Sequence, residues 1–313
     1  MHRFWPFRSL KQYASCDVDV SEDTPCVSSA FHIGQQFYSP DDISSAELIP
    51  KDRPYAGWLC VGGTWRAAST TKAFVTDVYL GATGKASLAK QFQTKWHRIV
   101  TATTPRGWEH QIDTRLGLIV AHSRHWIVYD PKPGGHRVLE ISPFVGGNLG
   151  NIVTDGYVGG RVKVGWNITR DWTHSAIGPT NYLVAALADP ASGPAGTDAE
   201  PTPAALGGQR AADPAQEPKF EIFLSLDGRA RVIGYNAFPD AADRHGITRR
   251  KVGADIGVGT GVRVGSFMVT YRVARISKEY SEALSDHHQF KALRFLYGGQ
   301  VIDSCQALER DIA

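Results

Sequence analysis

The sequence predicts an all-β fold, an antiparallel transmembrane β-barrel, on three observations. Its 32 Gly, 8 Trp, 11 Tyr and 13 Phe against only 2 Met favour strands over a helical bundle. About ten segments alternate apolar and polar residues with a period of two, and several of them reach the roughly 9 to 11 residues a tilted strand needs to cross a bilayer. The third is hydropathy: 42% hydrophobic residues with 21% charged and a mean of −0.24 fit a wall whose apolar outer face alternates with a polar lumen. A soluble sandwich shares this composition, but its strands average about 5 to 6 residues, so strand length favours the barrel. No run approaches the roughly 18 apolar residues of a membrane-spanning helix. A net charge of +3, from 34 Lys+Arg against 31 Asp+Glu, argues against a nucleic-acid binder, which carries a basic stripe.

In chain order, residues 1–27 form a divergent N-terminal segment. Residues 1–14 (MHRFWPFRSLKQYA) are basic at the front but lack the apolar core of a secretory signal. The strands are expected at 28–38, 56–66, 73–81, 111–126, 138–147, 154–167, 219–236, 251–262, 266–276 and 290–298, so the barrel occupies 28–299. In the third, Phe74, Thr76, Val78 and Leu80 face one way and Val75, Asp77 and Tyr79 the other. An inward Asp77 is costly in a dry sandwich core but wet in a lumen. In the seventh, Phe220, Ile222, Leu224 and Leu226 share one side. Residues 189–218 are rich in Pro, Ala and Gly and carry no aromatics, which predicts a disordered surface loop rather than a domain linker. Residues 300–313 read as a tail.

One stretch is helical. In 87–100 (SLAKQFQTKWHRIV), Leu88, Phe92, Trp96 and Ile99 recur at intervals of three and four, and His97 accompanies them. Cys16, Cys26, Cys60 and Cys305 lack metal-ligand spacing, and Cys60 sits in a strand pattern where a small buried side chain fits. The GATGK run at 81–85 has too short a glycine spacing for a phosphate loop. His122 and His125 fall on opposite faces of a strand, which argues against a shared metal, and His287-His288 reads as a polar turn.

The segment 33–58 (IGQQFYSPDDISSAELIPKDRPYAGW), with GATGKAS at 81–87, QTKWH at 93–97, PRGWEHQ at 105–111 and GNLGN at 147–151, resembles the outer-membrane lipid A 3′-O-deacylase family. The resemblance implies a twelve-stranded barrel in the outer membrane of a Gram-negative bacterium, with the signal peptide absent from this chain. It further implies a calcium-dependent esterase that hydrolyses the 3′-acyloxyacyl ester of lipid A. The partners are then lipid A or lipopolysaccharide and outer-membrane lipid, with no nucleic acid. His97 takes the role of general base, activating water, and Arg53 assists by stabilising carbonyl charge. Lys51, Tyr55 and Trp96 are assigned to substrate binding, Lys51 through the lipid phosphates. From the residues alone, His97 reads equally as an interfacial histidine and Arg53 as a loop residue paired to a carboxylate.

The family's first hairpin, with its Asn-Asp pair tied to calcium, is not recognisable in 1–27, so the metal ligands are unassigned. Where the family supplies a Glu about six residues after the base, Thr103 and Thr104 stand here. The alternative is therefore a catalytically inactive or truncated barrel of the same family with a structural or lipid-binding role.

Overall fold

The computed structural model describes residues 26–168, 220–240, 245–265, 267–283, 287–297 and 300–304. They form one antiparallel sheet of eleven strands, each paired with its neighbours in chain order. The strands are β1 (Cys26–Tyr38), β2 (Ala56–Ala68), β3 (Lys72–Thr83), β4 (Leu116–Trp126), β5 (Leu139–Gly150), β6 (Val153–Trp166), β7 (Phe220–Asn236), β8 (Val252–Val264), β9 (Phe267–Ser277), β10 (His287–Tyr297) and β11 (Gln300–Ser304). All ten expected strands are present, most of them 11 to 14 residues long. The eleventh is new: Gln300–Ser304 pairs with Leu293–Arg294 through Tyr297 of β10, inside the stretch expected to be a tail. Two further expectations are corrected. β4 starts at Leu116 rather than residue 111, and His287-His288 opens β10 instead of lying in a turn. The segments 1–25 and 189–218 lie outside the described residues.

The alternation sorts each strand onto two surfaces. Phe220, Ile222, Leu224 and Leu226 of β7 are exposed while Glu221 and Phe223 between them are buried, and β4 and β8 repeat the pattern without a break. An outward row of aliphatics with a polar inner row is what a strand between lipid and a lumen requires. His122 and His125 accordingly separate, one outward and one buried.

The inner row is packed rather than flooded. Glu221 receives Arg263 Nε at 3.3 Å and lies 3.9 Å from Lys163 Nζ, with Lys163 and Glu221 no more than 1% exposed. Arg161 pairs with Glu140 at 3.1 Å, Arg231 with Asp155 at 3.7 Å, Arg229 with Asp255 and Arg272 with Asp227. Asp77, expected to be wet, accepts instead from the hydroxyl of Thr64, its cross-strand partner. Inside β2, β3 and β4 the lining turns apolar. Trp58, Cys60, Tyr79, Ile119 and Ala121 meet Ile152, Val153, Ala237 and Phe238 from the far side of the sheet. Tyr38 at the end of β1 likewise packs on Phe238 after β7, with ring centroids 4.5 Å apart. Strands six apart in sequence touch only because the sheet is curled into a barrel wall.

Five connections share the end at which β1 finishes: 39–55, 84–115, 151–152, 237–251 and 278–286. All the candidate site residues lie there.

Candidate active site

The connection from β3 to β4 leaves and re-enters the wall at one point, where Thr83 N donates to Arg115 O at 2.9 Å and Thr83 Oγ1 to Asp113 O at 2.9 Å. It runs as a 3₁₀ turn (Gly84–Ser87), a left-handed joint at Leu88 with φ 58°, and helix α1 (Ala89–Ile99). This helix lies on the outer surface of the barrel. Gln35 and Phe37 share a face of β1 with exposed Ile33, and Gly57 shares a face of β2 with exposed Val61. All three outward positions touch the excursion: Gln35 Nε2 donates to Ser87 O at 2.5 Å, and the Phe37 and Phe92 rings lie 6.1 Å apart. A Cβ at Gly57 would stand 2.0 Å from Ser87 Oγ and 2.5 Å from Ala89 Cβ. Glycine therefore lets the helix seat directly on the strand.

A buried amide fixes that seat. Gln93 Nε2 donates to Ser39 Oγ at 2.8 Å, and Gln93 Oε1 accepts from Trp108 Nε1 at 2.9 Å, tying α1 to both flanking connections. Trp108 packs on Tyr55 with centroids 4.7 Å apart, and Tyr55 donates its hydroxyl to Ile43 O at 3.2 Å. Tyr55, expected to bind substrate, is thus a buried support under the helix, 3% exposed. Lys90 donates to Glu109, which holds that carboxyl below the usual carboxylate range.

The apolar residues of α1 do not point where an amphipathic reading puts them. Ala89 and Gln93 face the wall, whereas Phe92 is 52% and Ile99 74% exposed, and Leu88 before the helix is also exposed. Trp96 is half-buried between these lines.

His97 lies one turn beyond Gln93 and is partly exposed. After α1 the chain doubles back through Thr101, with φ 56°, and Ala102 N donates to His97 O at 2.8 Å. This turn brings Thr103 O to 2.5 Å from His97 Nδ1. A carbonyl oxygen only accepts, so Nδ1 carries the hydrogen and Nε2 of the neutral ring presents its lone pair. A backbone carbonyl thereby orients the imidazole where a carboxylate was expected, fixing the tautomer with a dipole in place of a full charge.

Arg53 and Lys51 belong to a second constellation, across the barrel mouth. Arg53 Nη2 lies 2.7 Å from Glu279 Oε2, and its guanidinium sits 5.5 Å from the Tyr38 ring centroid and 6.0 Å from that of Tyr280. Asp52 accepts from Tyr280 Oη at 2.8 Å, Arg53 N at 2.6 Å and Asp41 N at 2.8 Å. Burial, then the bond to Asp52, pushes the Tyr280 phenol up. Lys51, with φ 64°, donates its backbone N–H to His245 O at 2.7 Å and leaves its ammonium exposed. The structure thus gathers His97, Trp96 and Tyr55 on the outer-wall helix, and Arg53 with Lys51 in the mouth.

Three contributors escape sequence reasoning. Gly57 and Gln93 stand inside the motifs quoted for the family resemblance, and a glycine within a strand pattern signals close approach. Thr103 acts through its backbone, which no side chain announces. No three Asp, Glu, His or Cys side chains cluster in metal-binding fashion among the described residues. These residues alone do not supply an acidic calcium site.

No curated protein matches the chain. The structure of LpxR from Salmonella typhimurium is similar, with a TM-score of 0.67 at 16% sequence identity over 91% of this chain and 86% of that one. At this identity the likeness speaks for the barrel fold. A family model described as "Outer membrane protein LpxR" matches residues 9–298, nearly the whole chain. By that match, this barrel with its outer-wall helix belongs to the LpxR family of outer membrane proteins.

Proposed function

We propose that the chain is an outer-membrane esterase that removes the 3′-acyloxyacyl group of lipid A, with His97 as general base. The observation that carries this reading is the tautomer-fixed imidazole on a helix clamped to the lipid side of the wall. An ester whose acyl chains lie in the outer leaflet reaches a site there without leaving the membrane. Water attacks the ester carbonyl carbon while its proton passes to His97 Nε2, and the charge on the ring is shared with Thr103 O through Nδ1–H. The tetrahedral intermediate collapses with cleavage of the acyl–oxygen bond. The proton on Nε2 then passes to the departing sugar oxygen, giving a free hydroxyl and a carboxylic acid.

Arg53 contributes indirectly by holding the mouth connections over the strand ends, and exposed Lys51 is placed to meet a lipid phosphate. Calcium forms part of the proposal through family resemblance. It would polarise the ester carbonyl and draw acidic ligands from beyond the described residues, and no step above is routed through it.

The test is acid release from lipid A vesicles by the full-length chain. His97→Ala and His97→Gln are expected to abolish release while heat-modifiable gel migration, the signature of an intact barrel, is retained. Undiminished release by both variants overturns the proposal.

A further inference from the structure

The excursion 84–115 holds Lys85, Lys90, Lys95, Arg98, Arg106 and Arg115 against Glu109 and Asp113. Six positive and two negative charges leave a surplus of four, more than the +3 of the entire chain. The rest of the protein is close to neutral, and its positive charge is concentrated on one connection. Lys90 is engaged by Glu109. Lys95, Arg98, Arg106 and Arg115 are exposed and pair with no carboxylate among the described residues.

The same excursion exposes Leu88, Phe92 and Ile99. At about 100° per residue, Phe92 and Ile99 fall within about 20° of one another around α1, beside the wall-facing line of Ala89 and Gln93. Lys95 follows further round, and Arg98 lies farthest from the wall. An apolar edge bordered by basic side chains is the composition of a helix lying in a membrane interface, its cations reaching for headgroups. Continuity identifies the occupant as lipid. The exposed edge adjoins the outward aliphatics Ile33, Val61, Leu80 and Leu116 of β1 to β4, which form the lipid-facing belt beneath the helix.

We propose that the 84–115 excursion is an interfacial anchor for bulk anionic lipid of the outer leaflet. Leu88, Phe92 and Ile99 enter the acyl boundary, and Lys95, Arg98 and Arg106 lie on the phosphates of neighbouring lipids. The anchor rests on the barrel standing in a bilayer, not on ester hydrolysis. Its consequence is that the seating of α1, and with it the height of His97 above the acyl chains, follows the negative charge of the surrounding leaflet.

The experiment reads position rather than activity. The full-length chain, with Cys16→Ser, Cys26→Ser, Cys60→Ala and Cys305→Ser, carries an environment-sensitive fluorophore on Ile99→Cys. It is folded into vesicles of phosphatidylcholine, either alone or with about 30 mol% phosphatidylglycerol. The anionic vesicles are expected to shift the emission blue and to protect the label from iodide, with both effects reversed by about 1 M salt, where screening extends over only about 3 Å. Each of Lys95→Glu, Arg98→Glu and Arg106→Glu lowers the seated-to-lifted ratio about fivefold or more, since each basic side chain at an anionic surface contributes on that scale. Equal quenching in the two vesicle types overturns the proposal. So does a shift reproduced in neutral vesicles by inorganic pyrophosphate, which assigns the charges to a free-anion site. A chain devoid of esterase activity still gives a clear result.

Discussion

Replacing Gly57 with alanine places a methyl carbon 2.0 Å from Ser87 Oγ, 2.5 Å from Ala89 Cβ and 3.0 Å from Ser87 Cβ. Ordinary carbon contacts begin at about 3.5 Å, so the 3₁₀ turn and the start of α1 must retreat by about 1 to 1.5 Å. Two bonds oppose that retreat: Gln35 Nε2 to Ser87 O and Gln93 Nε2 to Ser39 Oγ. Overpacking of this kind costs about 1 to 3 kcal/mol, a modest fraction of the stability of a long-stranded barrel. The effect on catalysis is larger, because a displacement of about 1 Å at a positioned base costs about a hundredfold in rate. Gly57→Ala is therefore expected to lose about two orders of magnitude in kcat for acid release while keeping its heat-modifiable migration. Adding Ser87→Gly removes the nearest clash but not that with Ala89, and recovers part of the loss. Wild-type turnover in Gly57→Ala refutes the view that contact between helix and wall positions His97.

Three further outcomes follow from the buried polar groups. Glu221→Ala leaves Lys163 and Arg263 facing each other in the lumen and costs about 3 to 5 kcal/mol in a urea unfolding series, whereas Lys163→Met with Glu221→Leu and Arg263→Met is close to neutral. Arg53→Met strands Glu279 in the mouth and lowers stability by about 1 to 3 kcal/mol, measured by the same series, and Arg53→Met with Glu279→Gln is less damaging than the single change. Tyr280→Phe removes a bond to a carboxylate and costs about 1.5 to 3 kcal/mol. Because the folded phenol titrates above its ordinary value of about 10, its contribution is fully present below that pH and is lost as pH rises beyond it. Wild-type protein should thus lose stability above about pH 10 relative to Tyr280→Phe, as followed by alkaline unfolding.

Much of the barrel was legible because each wall strand faces two solvents. In Phe220–Leu226 the lipid and the lumen impose a strict alternation that survives in the sequence. β11 was not, because Gln300–Ser304 has five residues, too few for the period to show. Residues 111–115 alternate like a strand, yet Ile112 N is bound by Tyr55 O in the connection, a tertiary contact no local pattern reports. The partners of the lumen charges were equally hidden. Alternation turns Arg229 inward, but only the register of β7 against β8 sets it opposite Asp255. At the site, His97 and the helix were visible, while the exposed apolar edge was not. Periodicity reveals a stripe without saying whether protein or lipid covers it. The missing Glu suggested an unsupported imidazole, and the support comes from Thr103 O.

The central claim is that water activated by His97 attacks the acyl carbonyl at the outer wall. Hydrolysis of lipid A by the full-length chain in oxygen-18 water, with mass spectrometry of both products, tests it most directly. The account predicts one heavy oxygen in the released acid, none in the sugar hydroxyl, and no release by His97→Ala. Label in the sugar hydroxyl, or release that persists unchanged in His97→Ala, contradicts it.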